Sequence, residues 1–315
     1  MSPRLNVMSA ALRLVYPPVS NQEAEWAKSD PAVESMLRGS DFYLMCTRHE
    51  VRFHGCRVDD SGNIHIWVDG GRGLYDEAIL EPFALAKRLE NFDPEELIID
   101  LGPKIIKFYT GDDGDIDAGT EPFEWFTTEK LILDRSRNLP GLHGFEKYRE
   151  FGTYDLLYVG IAKASDTFQR LFDGAHQARQ KILSNEHPRR IGARVSDELT
   201  LFAFEVVPSV IRETGAGPDF DDETNWGLHL KGIVADAEKA FVHLLKPEYN
   251  VVQFVDYPRS SDGLYNANYQ IYGFYVEENL TFKTGKHTLR GCSDYRHADI
   301  LEVKGDTVRL RKAVD

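Results

Sequence analysis

Six side chains, His143, Tyr158, Arg170, His176, Glu238 and Asn250, stand in an order and in local surroundings suited to cutting a phosphodiester. Hydrolysis at phosphorus needs an acceptor for the proton of the attacking water, a donor for charge on the non-bridging oxygens, and a cation to polarise the phosphate. His143 has a side-chain pKa suited to a general base near neutrality, whereas Tyr158 needs strong perturbation or a relay through water. Arg170 offers a planar fork that grips phosphate oxygens two at a time. Glu238 is a hard-oxygen ligand, and a single carboxylate suits Mg²⁺ (or Mn²⁺), since Mg²⁺ keeps several of its waters. Asn250 follows a helix stop at Pro247 and can either fix the turn or touch substrate.

These residues lie in Pro140-Gly141-Leu142-His143, Leu157-Tyr158-Val159-Gly160-Ile161-Ala162, Gln169-Arg170-Leu171-Phe172 with His176 beyond, and Glu238 followed by Lys246-Pro247-Glu248-Tyr249-Asn250. The ordered set resembles the GIY-YIG nuclease superfamily, the catalytic module of certain homing endonucleases, type II restriction enzymes and the incision subunit of bacterial nucleotide excision repair. Tyr158-Val159-Gly160 stands where the family has its YIG strand, and Gly141-Leu142-His143 where it has GIY. His143 departs from the family, which usually places Tyr there. The resemblance implies a metal-dependent DNA endonuclease with Mg²⁺ or Mn²⁺ at Glu238, duplex DNA as partner, and a role in restriction or phage defence. The alternative is a catalytically inactive nucleic-acid-binding or regulatory partner protein on the same fold.

The elements that must hold these residues read as follows. Leu142 to Tyr148 and Leu156 to Ile161 are strand-like around a turn-rich stretch, which predicts an antiparallel hairpin. A helix is expected from about Asp166 through Phe168, Leu171 and Phe172, with Arg170 off its apolar face. His176 lies six residues on, about 240° around an unbroken helix, so it meets Arg170 only if the helix breaks near Gly174. Leu199 to Val207 predicts a strand, Gly215 to Trp226 a loop, and Val234 to Leu245 a helix carrying Glu238.

Upstream, Gln22 to Leu37 is helical but divided by Pro31. Val51 to Val58 and Ile64 to Val68 form a hairpin about Asp59-Asp60-Ser61-Gly62-Asn63. Glu77 to Asn91 has helical spacing, and Leu97 to Ile99 and Ile105 to Tyr109 are strands. Asp113, Asp115, Asp117 and Glu124 imitate an EF-hand, yet Ala118 takes the place of the glycine such a loop needs, so a solvated loop is expected. The polar stretch from Asp134 to Pro140 is the expected boundary. The organisation is thus α+β throughout: an N-terminal α+β recognition or regulatory domain (1–134), a GIY-YIG-like domain of small antiparallel sheet and flanking helices (135–255), and a β-rich C-terminal extension (256–315).

Composition is that of a globular chain, 315 residues with 42% hydrophobic and 28% charged. The apolar runs are too short to span a membrane, and the three cysteines, Cys46, Cys56 and Cys292, lack disulfide or zinc spacing, so the cytoplasm is the expected compartment. The net charge of −14 is unusual for a protein that binds phosphates. A basic stretch runs against it: Lys163, Arg179, Lys181, Arg189, Arg190 and Arg194 are the expected nucleic-acid contacts. The excess acid elsewhere suggests a nuclease restrained by recognition, by homo-oligomer formation or by a regulatory protein partner.

Overall fold

The computed structural model describes residues 6–86, 96–111, 120–162, 168–173, 176–212 and 223–313, the side chains of 172–173, 212 and 223–228 excepted. In chain order its first elements are β1 Asn6–Leu14, β2 Val19–Ser20, α1 Glu23–Ala27, α2 Pro31–Arg38 and β3 Phe42–Thr47. Then come β4 Arg52–Val58, β5 Ile64–Gly71, β6 Leu74–Leu80, α3 Pro82–Leu85, β7 Leu97–Leu101, β8 Ile105–Thr110 and β9 Glu124–Thr127. These are followed by α4 Thr128–Ser136, β10 Leu142–Gly144, α5 Tyr148–Phe151 and β11 Thr153–Ile161. A π-helical turn at Gln169–Asp173 leads to α6 Gln177–Asn185, α7 Val195–Glu198, β12 Leu199–Arg212 and α8 Glu223–Leu245. The last elements are β13 Ile271–Val276, β14 Thr281–Lys283, β15 Thr288–Arg290, β16 Ile300–Lys304 and β17 Thr307–Arg311.

Two compact units result: a larger one of Met1–Arg48, Thr153–Pro188 and Arg194–Asp315, and a smaller one of His49–Gly152 and Arg189–Ala193. The larger is built on one mixed sheet in the order β15-β14-β11-β3-β12-β1-β13-β16-β17, with β2 added on β12. The sheet is nearly closed and barrel-like, and the chain is mostly β. This overturns the expected α+β architecture, in which residues 135–255 make a small antiparallel sheet with flanking helices. Strands from the start, middle and end of the chain share one sheet, and β1 and β13 even run parallel.

The expected hairpin of Leu142–Tyr148 with Leu156–Ile161 does not form. β10 is only three residues long and pairs with β6, Leu142 opposite Leu80 and His143 opposite Ile79, and α5 intervenes before β11. β11 instead pairs antiparallel with β3. The physical reason lies in β3, whose Phe-Tyr-Leu-Met-Cys-Thr run is buried at every position and therefore demands a neighbour on both edges. β11 and β12 are those neighbours.

Faces alternate along β3. Phe42 packs against Phe204 and against Phe241 of α8, with ring centroids 6.3 and 5.1 Å apart. Tyr43 and Met45 face the other way, into a cluster with Leu157, Phe168, Leu171, Ile182, Leu201 and Ala203. Pro31 does divide the early helix: Asp30 caps α2 by accepting from the Ala32 and Val33 amides.

The smaller unit contains a four-stranded sheet, β10-β6-β5-β4, and a three-stranded one, β7-β8-β9. The hairpins β4–β5 and β7–β8 follow their sequence patterns. Glu77–Leu80, expected as helix, is strand, because it closes the tight turn from β5 through Gly73 and continues the ladder. Pro82–Leu85, further along the same segment, is the short helix α3. Residues 87–91, and the acidic loop at 112–119, lie outside the described residues. The expected boundary at Asp134–Pro140 begins inside α4 and stays within the smaller unit.

Candidate active site

The antiparallel pair β3–β11 supplies the floor. Gly160 lies opposite Tyr43, and a Cβ at Gly160 would stand 2.5 Å from the Tyr43 ring and hydroxyl and 2.8 Å from the Tyr158 ring. Only glycine lets the Tyr43 phenol lie across the neighbouring strand. Tyr158 is two residues from Gly160 and shares its face. A bulge between Leu156 and Tyr158 leaves Leu157 without a partner in β3, and both Leu157 and Tyr158 pack on the Tyr43 side. The two phenols stack, with ring centroids 6.1 Å apart and planes 26° apart.

Asn250 clamps this strand from its other edge. Its side-chain oxygen accepts from the Val159 amide at 2.9 Å and its Nδ2 donates to the Val159 carbonyl at 2.8 Å, while Tyr249 donates its amide to the Leu157 carbonyl at 3.0 Å. The residue is buried and holds the backbone between Tyr158 and Gly160, so it positions the phenol rather than meeting substrate.

His176 joins the phenols because the helix expected through Leu171 is a π-helical turn at Gln169–Asp173, after which His176 caps α6. Residues 163–167, including Lys163 and Asp166, and 174–175 lie outside the described residues. The His176 ring packs edge-on to Tyr43 and Tyr158, at centroid distances of 5.7 and 5.2 Å. Its Nδ1 accepts from the Arg179 amide at 3.4 Å, so in the neutral ring Nε2 carries the proton and donates to the Tyr43 hydroxyl oxygen at 2.8 Å. Burial, helped by Arg170 and Arg179, pushes the His176 pKa down to about 4, so the ring is neutral across the physiological range.

Arg170 projects from the π turn. Burial works against its charge, but the phenols of Tyr43 and Tyr158, and Glu238 beyond them, more than offset this and hold the guanidinium charged. Burial raises the pKa of both phenols, that of Tyr43 well above its ordinary value. In Tyr43 the neighbouring Tyr158 adds to the shift and Arg170 opposes it, and in Tyr158 Arg170 opposes while Glu238 adds. Both are therefore protonated at neutral pH.

Glu238 arrives from α8. Two residues before it, Asp236 is fully buried, accepting from the Tyr257 hydroxyl at 2.6 Å and the Leu264 amide at 2.8 Å. Residues two apart on a helix point about 200° apart, so anchoring Asp236 in the 254–264 loop turns Glu238 to the opposite side. From there its charge acts on Tyr158 and Arg170.

Five of these side chains, Tyr43, Tyr158, Arg170, His176 and Glu238, come together. His143 is not one of them: it belongs to the smaller unit, on β10, where its Nε2 meets Glu81 at 2.9 Å. Tyr43 was not among the expected residues. The signal for it was the buried run Phe42-Tyr43-Leu44-Met45, hidden by the length of chain between β3 and β11.

The basic stretch is mostly committed to the protein itself. Arg179 donates to Asn21 Oδ1 at 2.6 Å and to the Leu171 carbonyl at 2.7 Å, tying the π turn to α6. Arg190, in the smaller unit, donates to Asp69 at 2.6 Å and to the Glu50 carbonyl at 3.1 Å. Arg194 meets Asp197 and Gln22, and Arg189 lies half-buried in the smaller unit. Lys181 is exposed.

A metal could be held here by Glu238. Among the described residues no group of three or more His, Cys, Asp or Glu is placed to hold a metal ion. That donor set does not suit a closed zinc site, but one carboxylate beside open solvent fits Mg²⁺ or Mn²⁺. Among the described residues no helix is long and apolar enough to cross a membrane. Comparison of the chain with family models, with curated proteins and with solved structures finds no match in any of the three.

Proposed function

We propose that the larger unit is a divalent-cation-dependent phosphodiester hydrolase, an endonuclease acting on nucleic acid in the cytoplasm. Its site residues are similar to those of GIY-YIG nucleases, although the architecture around them is a different one. The observation that carries this reading is the convergence of two phenols, a guanidinium, a neutral imidazole and a carboxylate from four separated stretches of chain.

Bound at Glu238, a divalent cation would supply Lewis-acid polarisation of the phosphate. Arg170 binds the non-bridging oxygens and stabilises the charge that grows on them as the water oxygen bonds to phosphorus and the bond to the leaving oxygen breaks. Tyr158 is partly exposed and can release its phenolic proton to solvent; Arg170 and the Tyr43 hydroxyl favour the phenolate that remains, and this phenolate takes the proton of the attacking water. Tyr43, fully buried with its hydroxyl held by His176, fixes the position of Tyr158 by stacking.

The test is Glu238→Gln, which keeps shape and loses charge. Mg²⁺-dependent cleavage of a labelled oligonucleotide should fall by about a thousandfold or more, with the circular dichroism spectrum and melting temperature retained. Undiminished cutting by this variant would remove Glu238 from the metal site.

A further inference from the structure

Among the described residues, the arginines of the expected basic stretch are largely spent on contacts within the protein, and this bears on the substrate. Resting on the hydrolase reading above, we propose that the site acts on phosphodiesters recognised through one or two phosphates, meaning short oligonucleotides and small phosphodiesters, rather than on a long duplex tracked along its backbone.

Three observations carry this. First, the net charge is −14, so the field of the whole molecule repels a polyanion. Second, the basic stretch beside the site is turned inward: Arg179 bridges Asn21 and Leu171, and Arg194 bridges Asp197 and Gln22. Binding a phosphate with either would cost the contacts that hold the π turn and α7. Third, the groove beside β11 is lined by Lys181, Asn185, Glu186, Glu248, Tyr249 and Val251, a cavity of about 360 Å³ in which one lysine faces two carboxylates. Glu186 is held there by the Tyr249 hydroxyl at 2.7 Å, and Glu248 is exposed. A strand leaving the reacting phosphate along this groove meets repulsion, whereas a substrate that ends within one or two phosphates of Arg170 does not. Among the described residues of the larger unit, Arg170 and Lys181 are the cations this stretch presents to such a substrate.

Each phosphate neutralised by a duplex-binding protein adds close to one unit to the slope of log binding against log salt. We therefore expect kcat/KM to fall by less than about tenfold between 50 and 200 mM KCl. The experiment compares the purified full chain with Mg²⁺ on bis(p-nitrophenyl) phosphate, a dinucleotide, a six-nucleotide single strand and a thirty-base-pair duplex, across that salt range. The proposal predicts cleavage of the dinucleotide and six-nucleotide strand at least as efficient as of the duplex, with the shallow salt dependence. Glu248→Lys should raise duplex cleavage by about tenfold at low salt while leaving the dinucleotide rate unchanged, since one reversed charge alters the groove and not the reacting centre. Cleavage confined to the duplex, with a fall of a thousandfold or more over the same salt range, would overturn this inference and leave the hydrolase reading standing. Failure to cut any of the four with Mg²⁺ or Mn²⁺ would overturn both.

Discussion

Two histidines, one in each unit, show how far surroundings decide what a residue can do. His176 is buried among two phenols with Arg170 and Arg179 nearby, and its pKa falls to about 4. His65, on β5 of the smaller unit, lies between Asp59 and Glu77 at 3.1 and 2.9 Å, and hydrogen bonds to those carboxylates raise its pKa. One ring is kept neutral and can serve as an oriented N–H donor; in the other, two carboxylates favour the charged form. His143 lies on β10 with its Nε2 2.9 Å from Glu81. Ring type and position in a motif pointed to His143, but burial and neighbouring cations single out His176.

The comparison can be broken most severely at Arg170. Lysine keeps a charge there but cannot make the planar two-pronged contact, so Arg170→Lys should lower single-turnover cleavage by about a hundredfold to a thousandfold, with affinity for substrate changed far less. Equal losses in rate and affinity would make Arg170 a binding contact only.

The pH dependence sharpens the contrast between a phenol and an imidazole as base. Because burial raises the Tyr158 pKa, its ionised, proton-accepting form is a small fraction at neutral pH and grows with pH. Single-turnover rates should therefore rise about tenfold per pH unit from pH 6 to 8, with no plateau reached there. A rate that levels off above pH 7 would instead point to an imidazole of ordinary pKa as the base.

Gly160→Ala tests the floor of the larger unit on its own. The new methyl must displace the Tyr43 ring, at a cost of about 1–3 kcal/mol in stability from overpacking. Activity should fall further than that loss explains, as urea melts and cleavage rates on the same preparation would reveal. A fully active, fully stable variant would show that Tyr43 need not lie across β11.

Much of the local structure was legible in the sequence. Pro31 divides α1 from α2 and Asp59–Asn63 turns the β4–β5 hairpin, because each signal is carried by residues close together in the chain. Tyr158, Arg170, His176 and Glu238 were readable as a set for the same reason, each sitting in a short segment of fitting chemistry. What escaped was pairing. Periodicity tells which face of a strand is buried but not which strand lies beside it. The neighbour of Tyr158 is separated from it in the chain by residues 49–152, so Gly141-Leu142-His143, close in sequence, stood in for Phe42-Tyr43-Leu44 of β3, which pairs with β11. The same blindness concealed the large sheet, whose β1 takes partners from β12 and β13.

The pairing of β3 with β11 makes Tyr43, and not His143, the partner of Tyr158, and this is tested most directly by single-turnover cleavage with saturating Mg²⁺ on Tyr158→Phe, Tyr43→Phe and His143→Gln side by side. Loss of the Tyr158 phenolic oxygen should lower the rate by about a hundredfold or more, the usual scale for removing a general base, and Tyr43→Phe should lower it by about tenfold, while His143→Gln should cleave at the wild-type rate. Active Tyr158→Phe and Tyr43→Phe enzymes together with an inactive His143→Gln enzyme would contradict the site built here.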